Sequence, residues 1–129
     1  MILLDTHVLL WMALEPERLS RAAASAIQQA RREGSIFIAD ISLWEIALLA
    51  HRNRITITGT IDAFLYGISS PLEVKPITSA IAAMSVTFPD NYPHDPADRL
   101  IGATSKVEGL TLVTADRRLR RSPLLSTIW

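Results

Sequence analysis

Short apolar runs separated by stretches of helical patterning constrain this chain most. Residues 1–4 and 36–39 are apolar over their whole length and 110–114 (L-T-L-V-T) mostly so, and all three are rich in Ile, Leu and Val. Each is too short for a helix and shows no polar alternation, so each predicts a strand buried on both faces. Residues 72–77 also read as extended, but Pro76 argues against a central position. Residues 126–129 read as a last strand. Residues 55–58 alternate in β-branched fashion and suit a short edge strand or a connection. Strands alternating with helices predict an α/β fold, a parallel sheet covered on both sides.

The intervening helices carry their own stop and start signals. Residues 6–14 are expected helical, with Leu9, Leu10 and Ala13 facing inward. Ser20 caps an alanine-rich helix that ends near Gly34. A third helix opens at Ser42 and runs to about Arg52, a fourth covers 61–68, and a fifth starts at Thr78 or Ser79. In H-D-P-A-D-R-L-I-G-A-T-S (94–105), Asp95 is an N-cap, Pro96 suits the first helical position, and Asp98 falls in the first turn. Leu100, Ile101, Ala103 and Val107 form the buried stripe, Gly102 and Ala103 allow close packing on a sheet, and Gly109 ends the helix.

The 129 residues fit one domain, 1–129, with nearly half of them hydrophobic. There are no cysteines, which excludes a disulfide scaffold, a thiolate metal site and a cysteine nucleophile, and fits a reducing, cytoplasmic setting. No apolar run reaches membrane-spanning length, so no membrane partner is expected. The apolar N-terminus lacks a basic segment and is interrupted by Asp5, unlike a signal peptide. Thirteen basic and thirteen acidic residues cancel, giving no general attraction to nucleic acid. The only lysines are Lys75 and Lys106, so the other eleven basic residues are arginine, the better bidentate phosphate ligand.

In a parallel sheet, ligands bind at the carboxyl ends of the strands, where the following helices also begin. Asp5 follows the first strand and Asp116 the Leu110 strand. Glu45 is expected in the first turn after the second strand and Asp98 in the first turn of its helix. All four map to one rim, with Asp95 and Asp40 nearby. Each has a local explanation: Asp5, Asp95 and Asp116 as caps, Ser42 with Glu45 as a capping box. Together they place like charges side by side, which favours a hard divalent cation, Mg²⁺ or Mn²⁺, with oxygen ligands. The histidines, His7, His51 and His94, are too few and scattered for zinc. No nucleophile elbow and no glycine-rich phosphate loop is present. The Thr114 hydroxyl either holds a water or carboxylate in place or satisfies its own backbone.

These pieces resemble the PIN-domain ribonucleases of the VapC-like toxin group. The matching segments are L-L-D-T-H-V-L-L-W around Asp5, S-L-W-E-I-A around Glu45, H-D-P-A-D-R-L-I-G-A around Asp98 and L-V-T-A-D around Asp116. The resemblance implies a three-layer α/β/α sandwich, metal-dependent endonucleolytic cleavage of an RNA substrate, a homodimer and a cognate antitoxin. By motif position Asp5, Glu45, Asp98 and Asp116 match the acidic quartet, Asp95 is an additional acid, and Thr6 and Thr114 are the supporting polar positions. Asp5, Asp98 and Asp116 are expected as metal ligands, direct or through water, and Glu45 as a ligand or the residue orienting the attacking water. Arg117, Arg118, Arg120 and Arg121 are candidates for the RNA backbone; Arg99 either joins them or pairs with a neighbouring acid. Trp11 and Trp44 are candidate walls of an antitoxin groove, with core burial the first expectation for Trp44. The competing readings are a phospho-receiver signalling domain, which would need adjacent acids after the first strand and a late lysine, and a non-catalytic PIN-like binding module.

Overall fold

The computed structural model describes every residue, Met1–Trp129. Five strands form one all-parallel sheet: β1 (Ile2–Leu4), β2 (Ile36–Ala39), β3 (Glu73–Lys75), β4 (Thr111–Val113) and β5 (Thr127–Ile128). The helices are α1 (Thr6–Leu14), α2 (Arg21–Glu33), α3 (Asp40–His51), α4 (Ile61–Ser69), α5 (Ser79–Thr87), α6 (Pro96–Glu108) and α7 (Arg117–Arg120). The strand order is β3-β2-β1-β4-β5. The chain therefore builds outward in one direction from β1, returns, and builds outward in the other. The reversal lies between β1 and β4, and a crevice opens at such a point beyond the strand carboxyl ends.

Alternation along the strands sends side chains into two cores. Ile2 and Leu4 of β1 and Ile36 and Ile38 of β2 join α1, α2, Ile46 of α3 and the inner side of α4. Leu3, Phe37 and Leu112 point the other way, into a core closed by α5, α6 and Leu119 of α7. This is the three-layer sandwich with a central parallel sheet. The 55–58 segment is a connection, with Ile55 packed on the first core. The extended 72–77 segment supplies β3, which sits at the edge, as Pro76 requires. No helix is long and apolar enough to cross a membrane.

Several side chains take other places than their spacing suggested. Ala13 is exposed. On α6, Ile101 and Ala103 are buried as expected, while Leu100 and Val107 are half-buried. Thr104 and Ser105 are buried instead, their hydroxyls donating to Leu100 O (2.7 Å) and Leu110 O (2.6 Å). Such local bonds make a hydroxyl cheap to bury. Gly102 meets an aromatic rather than the sheet: a Cβ there would lie 2.0 Å from the hydroxyl of Tyr92, itself buried. Trp44 is 59% exposed rather than in the core.

Candidate active site

Asp5 stands at the reversal point, directly after β1, with 4% of its surface exposed. Its backbone N–H still belongs to the sheet, donating to Val113 O of β4 (3.0 Å). Its side chain caps α1, Oδ1 accepting from Thr6 N (2.8 Å). Oδ2 accepts from the fully buried Thr114 hydroxyl (2.7 Å). The same hydroxyl oxygen accepts from Asp116 N (3.0 Å). Thr114 thus holds a carboxylate, and it couples the first acid to the last.

Glu45 is held from α1. The Thr6 hydroxyl donates to Glu45 Oε1 (2.5 Å) and lies 2.9 Å from the Ser42 hydroxyl. Its single proton goes to Glu45, so Ser42 donates to Thr6. The capping-box reading of Ser42 and Glu45 does not hold. Helix α3 starts at Asp40, two residues earlier than expected, with Ala39 at its cap and no side-chain cap bond. Ser42 is therefore inside the helix and fully buried, and Glu45 lies beyond the first turn.

Asp98 enters from α6. Asp95 caps that helix, accepting from Asp98 N (3.1 Å), and the Tyr92 hydroxyl donates to Asp98 O (2.9 Å). Asp116 caps α7, its Oδ1 accepting from Arg118 N (2.8 Å). Arg118 then folds back over the rim. Its Nη2 lies 2.9 Å from Asp116 Oδ2 and 3.2 Å from Asp98 Oδ2. Of the four arginines expected on an RNA backbone, Arg118 is engaged by the acids. Arg117, Arg120 and Arg121 line a separate cavity with Thr127 and Trp129. Arg99 pairs with no acid: its Nη1 donates to Ser85 O (3.2 Å) and Phe88 O (3.3 Å), tying α6 to the end of α5. Asp40 is also elsewhere, accepting from Ile77 N (3.0 Å).

The titration behaviour follows from burial first and from the crowding of like charges second. Burial, with Asp95, Asp5 and Asp116 adding like charge, pushes the Asp98 carboxyl up to about 7, against the pull of Arg118. Burial raises Glu45, opposed by its bond from Thr6. Partial burial pushes Asp116 up, but the Arg118 side chain and backbone N–H outweigh it and hold Asp116 below the usual range. The Tyr92 hydroxyl is raised by burial and then by Asp98, so it stays a donor.

His7, Ser42 and Tyr92 belong to the site although their sequence signals were read otherwise or were absent. His7 Nε2 accepts from Ala115 N (3.0 Å), which leaves the proton on Nδ1, 3.6 Å from Asp5 Oδ2. It follows Asp5 by two residues, and that D-T-H spacing was the available clue. Ser42 stands in an S-x-x-E pattern, which local sequence alone presents as a capping box. Tyr92 lies in a proline-rich loop with no local signal.

The donor set suits a hard divalent cation. Every rim side chain offers a carboxylate or hydroxyl oxygen, and Asp98, pushed up to about 7 by burial and then by Asp95, Asp5 and Asp116, sits among like charges. The carboxylates line one edge without three of them closing around a common point. In this arrangement the guanidinium of Arg118 bridges Asp98 and Asp116.

The family profile described as PIN domain matches residues 2–123. The chain belongs to the PIN-domain family. It is 42% identical to ribonuclease VapC22 of Mycobacterium tuberculosis over 130 aligned positions, covering 99% of this chain and 98% of that one. This PIN domain also shares its fold with DNA-bound VapBC from Salmonella typhimurium, at TM-score 0.74 and 20% identity, with 98% of this chain and 97% of that one covered. FitAcB from Neisseria gonorrhoeae superposes at TM-score 0.70 and 21% identity, over 98% of this chain and 96% of that one. A receiver domain has no support: its strand order is 2-1-3-4-5, and here Thr6-His7 follow Asp5. Lys75 is spent on Glu73 and Glu108, and Lys106 reaches Leu124 O (3.5 Å).

Proposed function

We propose that this PIN domain is a divalent-metal-dependent endoribonuclease, the toxin of a toxin–antitoxin pair. One observation carries the reading: four carboxylates line one edge at the sheet's reversal point, and the half-buried Asp98 carboxyl is pushed up to about 7 there, by burial first and by its acidic neighbours second. The likeness to a protein named a ribonuclease supports it. Asp5, Asp98 and Asp116 would hold Mg²⁺ or Mn²⁺, directly or through water, with Glu45 as a further ligand or as the group orienting the attacking water. Such a cation, when bound, lowers the pKa of a bound water and offsets charge building on the phosphate.

The chain's own residues position this chemistry. Thr114 fixes Asp5 against the start of α7. Thr6, backed by Ser42, aims Glu45 while leaving its second oxygen free. The raised pKa of Glu45 brings it closer to the operating pH, where accepting a proton from water is most efficient. Asp95 holds the first turn of α6, so its role as an additional acid is to place Asp98 and add negative charge.

The antitoxin would lie in the groove of about 530 Å³ between α3 and α6. Trp44, Leu48, Leu49 and Pro96 give it an apolar wall, and Glu45 and Asp95 mark where it reaches the rim. Trp11, expected as the other wall, packs against His7 and Trp129 instead. An antitoxin arginine at the rim would compete with the cation for the same carboxylates. A homodimer is inferred as well, which size-exclusion chromatography with light scattering checks.

The decisive experiment is cleavage of RNA by the purified protein with Mg²⁺ or Mn²⁺ and with EDTA, beside Asp5→Asn and Asp98→Asn. Cleavage that needs the ion and both carboxylates is expected. Cleavage by both variants at the parent rate would place the chemistry elsewhere.

A further inference from the structure

Beside the acidic rim lies a cavity of opposite charge. It measures about 440 Å³, the scale of a small-ligand site, and is lined by Arg117, Arg120, Arg121, Thr127 and Trp129. No acidic side chain lines it. The arginine ion pairs of the protein are those of Arg18 and Arg118, so none of the three arginines here is paired with an acidic side chain. Like charges gathered around one cavity favour an anion, and guanidinium groups match phosphate oxygens in geometry.

The aromatic wall is anchored. The Trp129 ring lies 5.7 Å from that of Trp11, and Trp11 in turn packs at 4.9 Å against His7, the neighbour of Asp5. The Arg18 guanidinium covers Trp11 at 4.3 Å. Strands β4 and β5 are parallel, with Val113 opposite Ile128. Asp116 and Trp129 therefore leave the sheet at the same edge, and the cavity adjoins the rim along it.

We propose that this cavity is a subsite for single-stranded RNA next to the cleavage position. Arg117, Arg120 and Arg121 hold a backbone phosphate, and an unpaired base lies against Trp129. Cationic side chains with an aromatic platform are what a single strand needs, since each nucleotide offers one charge and one π-face. A free phosphate would use the arginines and leave the tryptophan idle. The proposal rests on the ribonuclease reading, and it separates Arg118, held by the acids, from the three arginines that bind substrate.

The test is fluorescence anisotropy with a labelled single-stranded RNA of about ten nucleotides, a length such surfaces cover. The Asp5→Asn protein with Mg²⁺ keeps the RNA intact. Adding Arg120→Ala with Arg121→Ala should weaken binding about tenfold or more at low salt and flatten the salt dependence by about 1.4 in log–log slope. Trp129→Ala should weaken binding about tenfold with the slope unchanged, and Trp129→Phe should retain most of it. Inorganic phosphate should compete only weakly. The control is Arg31→Ala with Arg32→Ala, the same charge change at the end of α2, which leads to the opposite edge of the sheet. Thermal melts check folding, and if Trp129→Ala does not fold, the arginine pair and Trp129→Phe carry the test.

Arginine-pair binding no weaker than the control's overturns the subsite. So does loss of antitoxin co-purification with RNA binding intact, which would make the cavity a protein contact. Parent protein that cleaves RNA while the variants bind normally sinks the subsite and leaves the ribonuclease reading standing. Parent protein that binds RNA through these residues but never cleaves it does the reverse.

Discussion

Asp116 closes the acidic rim, and Arg117, the next residue, opens the arginine cavity. The two regions hold their charges differently. On the rim, Asp5 is fixed by a backbone N–H and a buried hydroxyl, Glu45 by Thr6, and Asp98 and Asp116 by Arg118. In the cavity no such bond restrains Arg117, Arg120 or Arg121. Three of the four rim acids stand at the end of β1 or on the long helices α3 and α6, whereas the cavity is built from a four-residue helix and a two-residue strand. Bond making needs groups held to within fractions of an ångström, and a second layer of hydrogen bonds supplies that. Holding a backbone phosphate needs charge and reach, which flexible arginines supply without a scaffold.

The largest expected effect separates the two regions kinetically. Asp98→Asn should lower kcat by about a thousandfold, several kcal/mol of transition-state stabilisation. Arg120→Ala with Arg121→Ala should act mainly on KM. Steady-state cleavage of one RNA decides it, and equal effects on kcat would merge the two regions into one.

Next is the scaffold behind the rim. Gly102→Ala puts a Cβ against the hydroxyl of Tyr92, whose ring is packed on Phe88 (4.3 Å between centroids), so the ring must shift to admit it. A loss of about 1–3 kcal/mol is expected from overpacking, read by denaturant melts. Because Tyr92 also holds Asp98 O, cleavage should fall as well, while RNA binding at the arginine cavity stays.

The third prediction reads the crowding of the rim through pH. The folded-state pKa of Asp98, about 7, lies above the unfolded value near 4. Folded protein then holds that proton more tightly than unfolded protein, so this group's contribution is full below about pH 4 and is lost as pH rises to about 7. Asp98→Asn should therefore match the parent most closely at pH 4 and exceed it in melting temperature at pH 8, both in EDTA. Excess Mg²⁺ should narrow the gap at pH 8 by stabilising the parent. An unchanged difference across this range would mean that Asp98 serves only as a helix-terminus charge.

The smallest effect concerns Arg118. Its side chain is 62% exposed, so Arg118→Ala should cost no more than about 1 kcal/mol in EDTA. The gain in melting temperature on adding Mg²⁺ should become larger, since no guanidinium then bridges Asp98 and Asp116. A gain smaller than the parent's would place Arg118 as a support of the cation rather than its competitor.

Much of this was legible in residue types alone. An apolar run without alternation is a strand covered on both sides, so β1, β2 and β4 and the parallel sheet followed from sequence. An acid just after a strand lies at its carboxyl end whatever else the chain does, so the places of Asp5 and Asp116 followed too, and Asp98 followed from the helix start that Asp95 and Pro96 mark. Pro96 after Asp95 and Gly109 near the helix end set the limits of α6 through backbone geometry, which is local.

Tertiary structure decided what depends on partners distant in the chain. Whether Ser42 caps a helix or buries its hydroxyl against Thr6 depends on where α1 packs, 36 residues away. The Thr114 hydroxyl chose Asp5 because β1 and β4 are neighbours, 109 residues apart in the chain. Trp44 is exposed because its position on α3 faces the groove rather than the sheet, and local apolar spacing does not report which side of a helix the sheet will cover. Arg118 and Arg120 are alike in sequence, and only the fold sets one across two carboxylates and the other in a cavity with no acidic side chain. Local backbone preferences are written in neighbouring residues; the pairing of side chains is set by which elements the sheet brings together.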